Sequence, residues 1–354
     1  MNFNAIFFKT FRLILLPVSI IYGLVIYARN YLYDKKILRA VKFNFPIICV
    51  GNLVMGGTGK STMVEFLIEF LRHEMNVATL SRGYKRRTKG YILASEKTSA
   101  LEIGDEPMQF HVKYPGISVA VCEDRLVAVP QILQDCPATN VIVLDDAFQH
   151  RAIDAGLNIL LTQYGDLYTH DFFLPSGDLR DEKASAKRAN IIVVTKCPAN
   201  ITIEEKKSIE KDLRLEDKQT IYFTTLEHGV PYHILTKAEK LLSLEEEVLL
   251  VCGIANPEPL KKYLEENTAA FYQLHFSDHH IYSIDDLKGI SKKFEQMQSR
   301  QKFILTTEKD AVRLIKFENT LIDLPFYVLP VRNRFLFDEE EKFKFVIKQY
   351  IHSY

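Results

Sequence analysis

The 354-residue sequence predicts an α/β protein whose larger part is a mostly parallel sheet with helices on both faces, joined to a second, smaller α/β lobe. The length predicts two lobes, since a domain takes roughly 100 to 200 residues. The order of elements predicts their type: from Phe45 onward, short apolar runs alternate with helical patterns, the mark of strand–helix–strand units. A third element stands apart from both lobes, an apolar segment with basic flanks over residues 1–40.

In that segment, residues 13–27 are apolar apart from Pro17, Ser19 and Gly23. As a helix they span roughly 22 Å, short of the ~30 Å hydrocarbon core of a bilayer, so a full crossing is not expected. Lys9, Arg12, Arg29, Lys35, Lys36, Arg39 and Lys42 stand against the single acid Asp34, and anionic headgroups attract such an excess. Tyr22, Tyr27, Tyr31 and Tyr33 suit an interface. A shallow membrane-associated helix is the expectation. A buried first helix is the competing reading, and a cleaved signal is the weaker one because no small-x-small site follows the apolar run.

Candidate strands of the larger part lie at 47–50, 77–80, 117–121, 141–144, 157–161 and 191–195, within a domain expected over 41–225. The smaller lobe is expected over 226–354, with strands at 248–252, 270–275 and 302–306. Extended stretches at 220–225 and 325–330 flank it and are expected to pair as a two-stranded connector.

Forty-five basic and forty-five acidic residues cancel, which removes the electrostatic footprint of a nucleic-acid-binding protein. Cys49, Cys122, Cys136, Cys197 and Cys252 form no C-x-x-C pair and sit in or beside apolar runs. They read as reduced thiols of a cytoplasmic protein, with no zinc site.

The chemistry concentrates where Val50-Gly51-Asn52-Leu53-Val54-Met55-Gly56-Gly57-Thr58-Gly59-Lys60-Ser61-Thr62 joins an apolar strand to a helical pattern. That context makes the run a P-loop, and with it the larger domain P-loop NTPase-like. Gly56, Gly57, Thr58, Gly59 and Thr62 bring backbone amides toward phosphate. Lys60 would reach the β- and γ-phosphates, and Ser61 offers a hydroxyl to magnesium. The first glycine of the pattern is replaced by Val54, so the loop is a variant. A structural glycine-rich turn is the bland alternative.

Val141-Ile142-Val143-Leu144-Asp145-Asp146 is a strand ending in two carboxylates, with Asp145 favoured as the acid on the magnesium shell and a helix cap as the alternative. The pattern leaves three further sites open. Gly104-Asp105-Glu106-Pro107 opens a helix either as a cap or as a carboxylate facing nucleotide. Asp278-His279-His280 reads first as a polar surface turn, then as a metal pair or a histidine supporting a base. Ser81-Arg82-Gly83-Tyr84 follows a strand end and is equally a phosphate-facing loop or a solvated one. Val194-Thr195-Lys196-Cys197 lacks the aspartate of a guanine-reading signature.

Taken together these residues resemble the tetraacyldisaccharide 4'-kinases, the LpxK family of lipid A biosynthesis. The likeness extends through Leu144-Asp145-Asp146-Ala147-Phe148-Gln149-His150-Arg151, Leu174-Pro175-Ser176-Gly177-Asp178-Leu179-Arg180, Gly253-Ile254-Ala255-Asn256-Pro257, Phe276-Ser277-Asp278-His279-His280 and Thr306-Thr307-Glu308-Lys309-Asp310-Ala311-Val312. Ser176 and Asp178 depart from the commoner Leu-Pro-Ala-Gly-Pro-Leu-Arg.

The resemblance implies transfer of the γ-phosphoryl group of ATP to the 4'-hydroxyl of a lipid-linked glucosamine disaccharide 1-phosphate, forming lipid IVA at the cytoplasmic face of the inner membrane. It implies Asp105 as the base, His279 as its partner across a cleft, and Glu106 and Asp145 near magnesium. It sets Asp146, Gln149, His150 and Arg180, with Arg82 and Tyr84, about the site. It suggests no obligatory protein partner. Two rival classes remain: a nucleotide-hydrolysing switch or metallochaperone, and a soluble small-molecule kinase.

Overall fold

The computed structural model describes Arg12 and residues 14–354. Lys9 and Leu13, both part of the expected N-terminal segment, lie outside the described residues. The larger sheet has nine strands in the spatial order Val331–Phe335, Thr220–His228, Ile191–Thr195, Leu157–Gln163, Ile47–Asn52, Val141–Asp145, Val77–Ser81, Ser118–Val121 and Ile92–Leu93. Every neighbouring pair is parallel except the two at the edges.

Ile47–Asn52, Val77–Ser81, Val141–Asp145 and Ile191–Thr195 are buried at every position, which is why they read as unbroken apolar runs. Successive residues feed opposite faces. Ile47 and Cys49 pack with Ala128, Val129 and Ile132 of the helix Arg125–Asp135. Ile48 and Val50 pack with Met63, Leu67 and Leu71 of the helix Lys60–Leu71 and with Phe343 and Ile347 of the last helix, Glu340–Ile351. The stretch 331–351 therefore returns to the larger sheet.

The smaller sheet runs Tyr232–His233, Phe326–Leu329, Lys302–Thr307, Glu247–Cys252 and Ala270–His275, parallel apart from its first pair. Its faces are filled by separate sets, Leu249, Val251 and Ile304 on one and Val248, Leu250 and Phe303 on the other.

The expected connector pairing is corrected. Thr220–His228 pairs antiparallel with Val331–Phe335, from Thr224 opposite Phe335 to His228 opposite Val331, whereas Phe326–Leu329 lies in the smaller sheet beside Lys302–Thr307. Pro330 separates the two strands because it has no N–H to give a ladder. Its carbonyl accepts the Gly229 N–H at 2.9 Å, so the chain changes sheets at Pro330.

The helix Leu16–Asp34 is inverted relative to an ordinary surface helix. Its buried residues are Ser19, Gly23 and Asn30. Asn30 donates to Asp181 and Glu182 at 2.8 Å each, Tyr22 donates to the Arg180 carbonyl at 3.1 Å, and Arg151 reaches Asp34 at 2.6 Å. A Cβ added at Gly23 would lie 2.7 Å from the Phe173 ring, so only glycine permits this approach. Ile20, Ile21, Leu24 and Val25 face outward, each more than half exposed. No described helix is long and apolar enough to cross a membrane.

Candidate active site

The glycine-rich loop and Asp145 sit at the carboxyl ends of adjacent parallel strands, with Val50 in register with Asp145. Ligands of open α/β sheets gather at such ends. Gly56 and Gly59 carry φ of 112° and 83°, left-handed values that require glycine, and Gly59 precedes the first residue of the helix that starts at Lys60. Thr58 is gripped from both sides: Asn52 donates to its hydroxyl at 2.9 Å and the Thr195 hydroxyl donates to its carbonyl at 2.8 Å.

Val54, the variant position, is buried and bridges Leu179, and the Met55 N–H donates to the Asp178 carbonyl at 2.7 Å. The 171–180 loop thus braces the half of the turn that lacks its first glycine. Beneath it, Gln149 donates to the Asn52 carbonyl at 2.6 Å, and Arg180 binds Asp146 (Nη1 to Oδ2, 3.0 Å) and the Asn52 side chain. Asp146, Gln149 and Arg180 are therefore brought together as supports of the loop.

Lys60 lies 3.9 Å from Asp146 and reaches back to the Gly56 carbonyl at 3.5 Å. Burial lowers its pKa, a cost that an anion in the loop would relieve. Ser61 and Thr62 follow it on the first turn of the helix, where N–H groups are unpaired within the helix.

Asp145 is almost fully buried and accepts from the Ser81 hydroxyl at 3.3 Å through Oδ2, while Oδ1 has no hydrogen-bond partner among the described residues. Burial first, and then the charges of Glu106 and Asp146, push its carboxyl up to about 7. An unpaired carboxylate oxygen among acids suits a cation. Among the described residues no three His, Cys, Asp or Glu side chains form a ready metal cage. Magnesium fits that donor set, because it takes one or two carboxylates and completes its shell with water and phosphate. Burial opposes ionisation of Asp146 too, but the bonds from Arg180 and the charge of Lys60 outweigh it and hold that carboxyl below its usual range.

Asp105 and Glu106 open the helix Asp105–Lys113 after Gly104, whose φ is 94°. Both are met by side chains of the smaller lobe. His279, itself left-handed at φ 62°, places Nδ1 2.8 Å from Asp105 Oδ2. Arg313 Nη2 donates to the same oxygen at 2.7 Å, and Lys309 donates to Glu106 Oε1 at 3.1 Å. Burial resists the charge on Asp105, yet these donors outweigh it and hold its pKa at about 2.

The surface-turn reading of residues 278–280 gives way to two roles. His279 faces the other lobe, and His280 bonds Asp286 at 3.0 Å and stacks on Phe276 within its own lobe. Tyr84 is exposed and meets His279 edge to face, with ring centroids 5.9 Å apart. Arg82 is exposed. His150 stands apart from the Asn52–Asp146–Arg180 cluster, 4.0 Å from Asp124, and burial together with Arg125 lowers its pKa.

Lys309 and Arg313 are the site residues that sequence reasoning missed. Their spacing of four on one helix was the available signal, since it sets both cations on one face.

The chain matches the family model described as tetraacyldisaccharide-1-P 4'-kinase over residues 11–352. Among curated relatives, the tetraacyldisaccharide 4'-kinase of Flavobacterium johnsoniae is 44% identical over 344 residues, covering 96% of this chain and 97% of that protein. That of Phocaeicola vulgatus is 42% identical over 346 residues, covering 95% and 94%. Among solved structures, LpxK from Aquifex aeolicus in complex with ATP aligns with a TM-score of 0.76 at 30% identity, covering 96% of this chain and 99% of that one. A glycine-rich loop, paired acids at the neighbouring strand end and similarity over nearly the whole chain agree: the chain belongs to the tetraacyldisaccharide 4'-kinase family.

Proposed function

We propose that this protein transfers the γ-phosphoryl group of ATP to the 4'-hydroxyl of a tetraacylated glucosamine disaccharide 1-phosphate, producing lipid IVA, on a P-loop NTPase-like larger domain, to which the stretch 331–351 returns, closed by the smaller lobe inserted before that stretch. The observation that carries this reading is the contact of Asp105 with His279 at 2.8 Å, which joins the two lobes beside the phosphate loop. A nucleotide switch has no use for a base held in this way. An alcohol acceptor has.

Lys60 and the amides of Gly56 to Thr62 grip the β- and γ-phosphates, so that the relieved burial of Lys60 supports binding. Asp105 takes the proton of the acceptor hydroxyl as its oxygen bonds the γ-phosphorus and the bond to the β–γ bridging oxygen breaks, leaving ADP. His279 orients that carboxylate from the opposite lobe. Closure also excludes the water that would otherwise hydrolyse ATP.

Ser61, Glu106 and Asp145 would hold magnesium, which when bound neutralises phosphate charge. Asp146, Gln149 and Arg180 keep the loop in shape. We assign Arg82, Tyr84 and His150 to the acceptor side, where the exposed ring of Tyr84 and the charge of Arg82 suit a phosphorylated sugar.

The outward apolar face of Leu16–Asp34 and the basic residues about it support association with an anionic surface, the cytoplasmic face of the inner membrane. A lipid substrate then meets its enzyme in two dimensions. Incubation with γ-labelled ATP and tetraacyldisaccharide 1-phosphate should yield a labelled lipid. Label released solely as free phosphate would instead favour a hydrolytic switch.

A further inference from the structure

Two motifs of the smaller lobe touch neither the phosphate loop nor the paired acids: the glycine of Gly253-Ile254-Ala255-Asn256-Pro257, and Asp310 of the Thr306 to Val312 run. They meet at one point. Asp310 is fully buried at the start of the helix Glu308–Leu314, where it accepts from the Gly253 N–H at 3.1 Å, the Thr307 hydroxyl at 2.7 Å and the Tyr282 hydroxyl at 3.2 Å. Its remaining contact is Arg313 Nη1, at 3.2 Å. A buried carboxylate held by three neutral donors is a fixed anion, and it fixes the guanidinium one turn later.

Arg313 is nearly as buried, with a side chain 6% exposed, and its other terminal nitrogen leaves the lobe to reach Asp105 Oδ2 at 2.7 Å. The same oxygen takes His279 Nδ1 at 2.8 Å. The imidazole Nδ1 carries either a hydrogen or a lone pair, so with its hydrogen on Asp105 it cannot also accept from Arg313, 3.1 Å away. Both donors therefore converge on one carboxylate oxygen, and neither bond uses Oδ1.

We propose that Arg313, braced by Asp310, is a positioning residue for the phosphoryl-transfer base: with His279 it saturates Oδ2 of Asp105, so that Oδ1 is the oxygen left to receive the acceptor's proton. The inference rests on the reading of Asp105 as that base. It gives the two motifs one task, which is to carry a rigid cation across the cleft when the lobes close. Lys309, on the same helix face, does the corresponding thing for Glu106 at 3.1 Å. An arginine suits the position because its planar fork spans two carboxylates at once, which a lysine cannot do.

The test uses the full chain with ATP, magnesium and tetraacyldisaccharide 1-phosphate, comparing Arg313→Ala, Arg313→Lys and Asp105→Asn. Loss of orientation predicts about a 10²-fold fall in kcat for Arg313→Ala, with KM for ATP changed by no more than about twofold. Added guanidinium should then recover about tenfold of that loss, while Asp105→Asn loses transfer and does not respond. Wild-type kcat in Arg313→Ala overturns the proposal, and so does absence of guanidinium rescue in a folded Arg313→Ala. If the alanine variant does not fold, Arg313→Lys decides: a lowered kcat at unchanged KM for ATP supports the role, and an unchanged kcat overturns it. Wild-type transfer by Asp105→Asn would remove the base reading itself, a result distinct from either failure of Arg313.

Discussion

Asp105 and His279 are 174 residues apart in the chain and meet at 2.8 Å, one at the start of a helix in the larger lobe and the other on a left-handed turn of the smaller. As the proposed catalytic pair, the two residues meet only when the lobes are together. Closure would then gate the chemistry, and its residues are separable by experiment.

Asp105→Asn keeps the size and most of the hydrogen bonds of the side chain but removes the proton acceptor. Phosphoryl transfer should fall by about 10²- to 10⁴-fold, with ATP affinity largely retained. Turnover against lipid and equilibrium binding of an ATP analogue check the two halves separately. A parallel loss of both would place Asp105 in nucleotide binding instead.

Lys60→Ala should abolish most transfer and leave the apo fold as stable as before. Lys60 is buried and its charge is disfavoured by that burial, so the lysine does not contribute net stability without phosphate. Thermal midpoints without nucleotide should agree between variant and wild type, and only the wild type should rise on adding ATP.

Ile21 and Leu24 are 64% and 62% exposed on the outward face of the first described helix, and neither supports the core. Replacing both with glutamate should weaken binding to anionic vesicles by at least about tenfold, because each large apolar side chain buried in lipid contributes roughly 1.5–3 kcal/mol. The melting temperature should hold. Vesicle flotation measures the first and calorimetry the second.

Glu65 is buried between Gln109 and Lys113, and Lys113 also reaches Glu308 of the smaller lobe at 2.6 Å. Burial, followed by the charge of Glu308, raises the Glu65 carboxyl from an ordinary value near 4.5 to about 7. Between those pH values the folded state holds a proton that the unfolded chain has lost, so stability is greatest below pH 4.5 on this account and declines as pH rises toward 7. Relative to Glu65→Gln, the wild type should lose on the order of 1–3 kcal/mol across that window. Urea unfolding of both proteins at pH 5 and pH 8 measures it, and parallel pH profiles would contradict the assignment.

What was legible in the sequence was local. The Gly56 to Thr62 turn stands out because its glycines, lysine and hydroxyls are contiguous in the chain and the glycines set its shape by local backbone conformation, and the buried parallel strands stand out because both of their faces are apolar. The connector was misread because Pro330 looks like the end of one extended stretch, whereas it is the point where the chain passes from the smaller sheet into a ladder with Thr220–His228. Arg313 and Lys309 were visible as spaced cations, but their partners lie 208 and 203 residues away, a distance at which pattern says nothing about contact. The first helix showed its apolar stretch. That its small and polar residues face the protein emerges only from what they touch, such as Phe173 against Gly23.

The turn at Lys60 is proposed to hold the triphosphate whose terminal group is transferred. A crystal structure with a non-hydrolysable ATP analogue and magnesium decides this. The β- and γ-phosphates should lie within hydrogen-bonding reach of Lys60 Nζ and the amides of Gly57 to Ser61, with Asp145 in the magnesium shell. Nucleotide bound elsewhere, with that turn empty, would refute the proposed phosphoryl transfer.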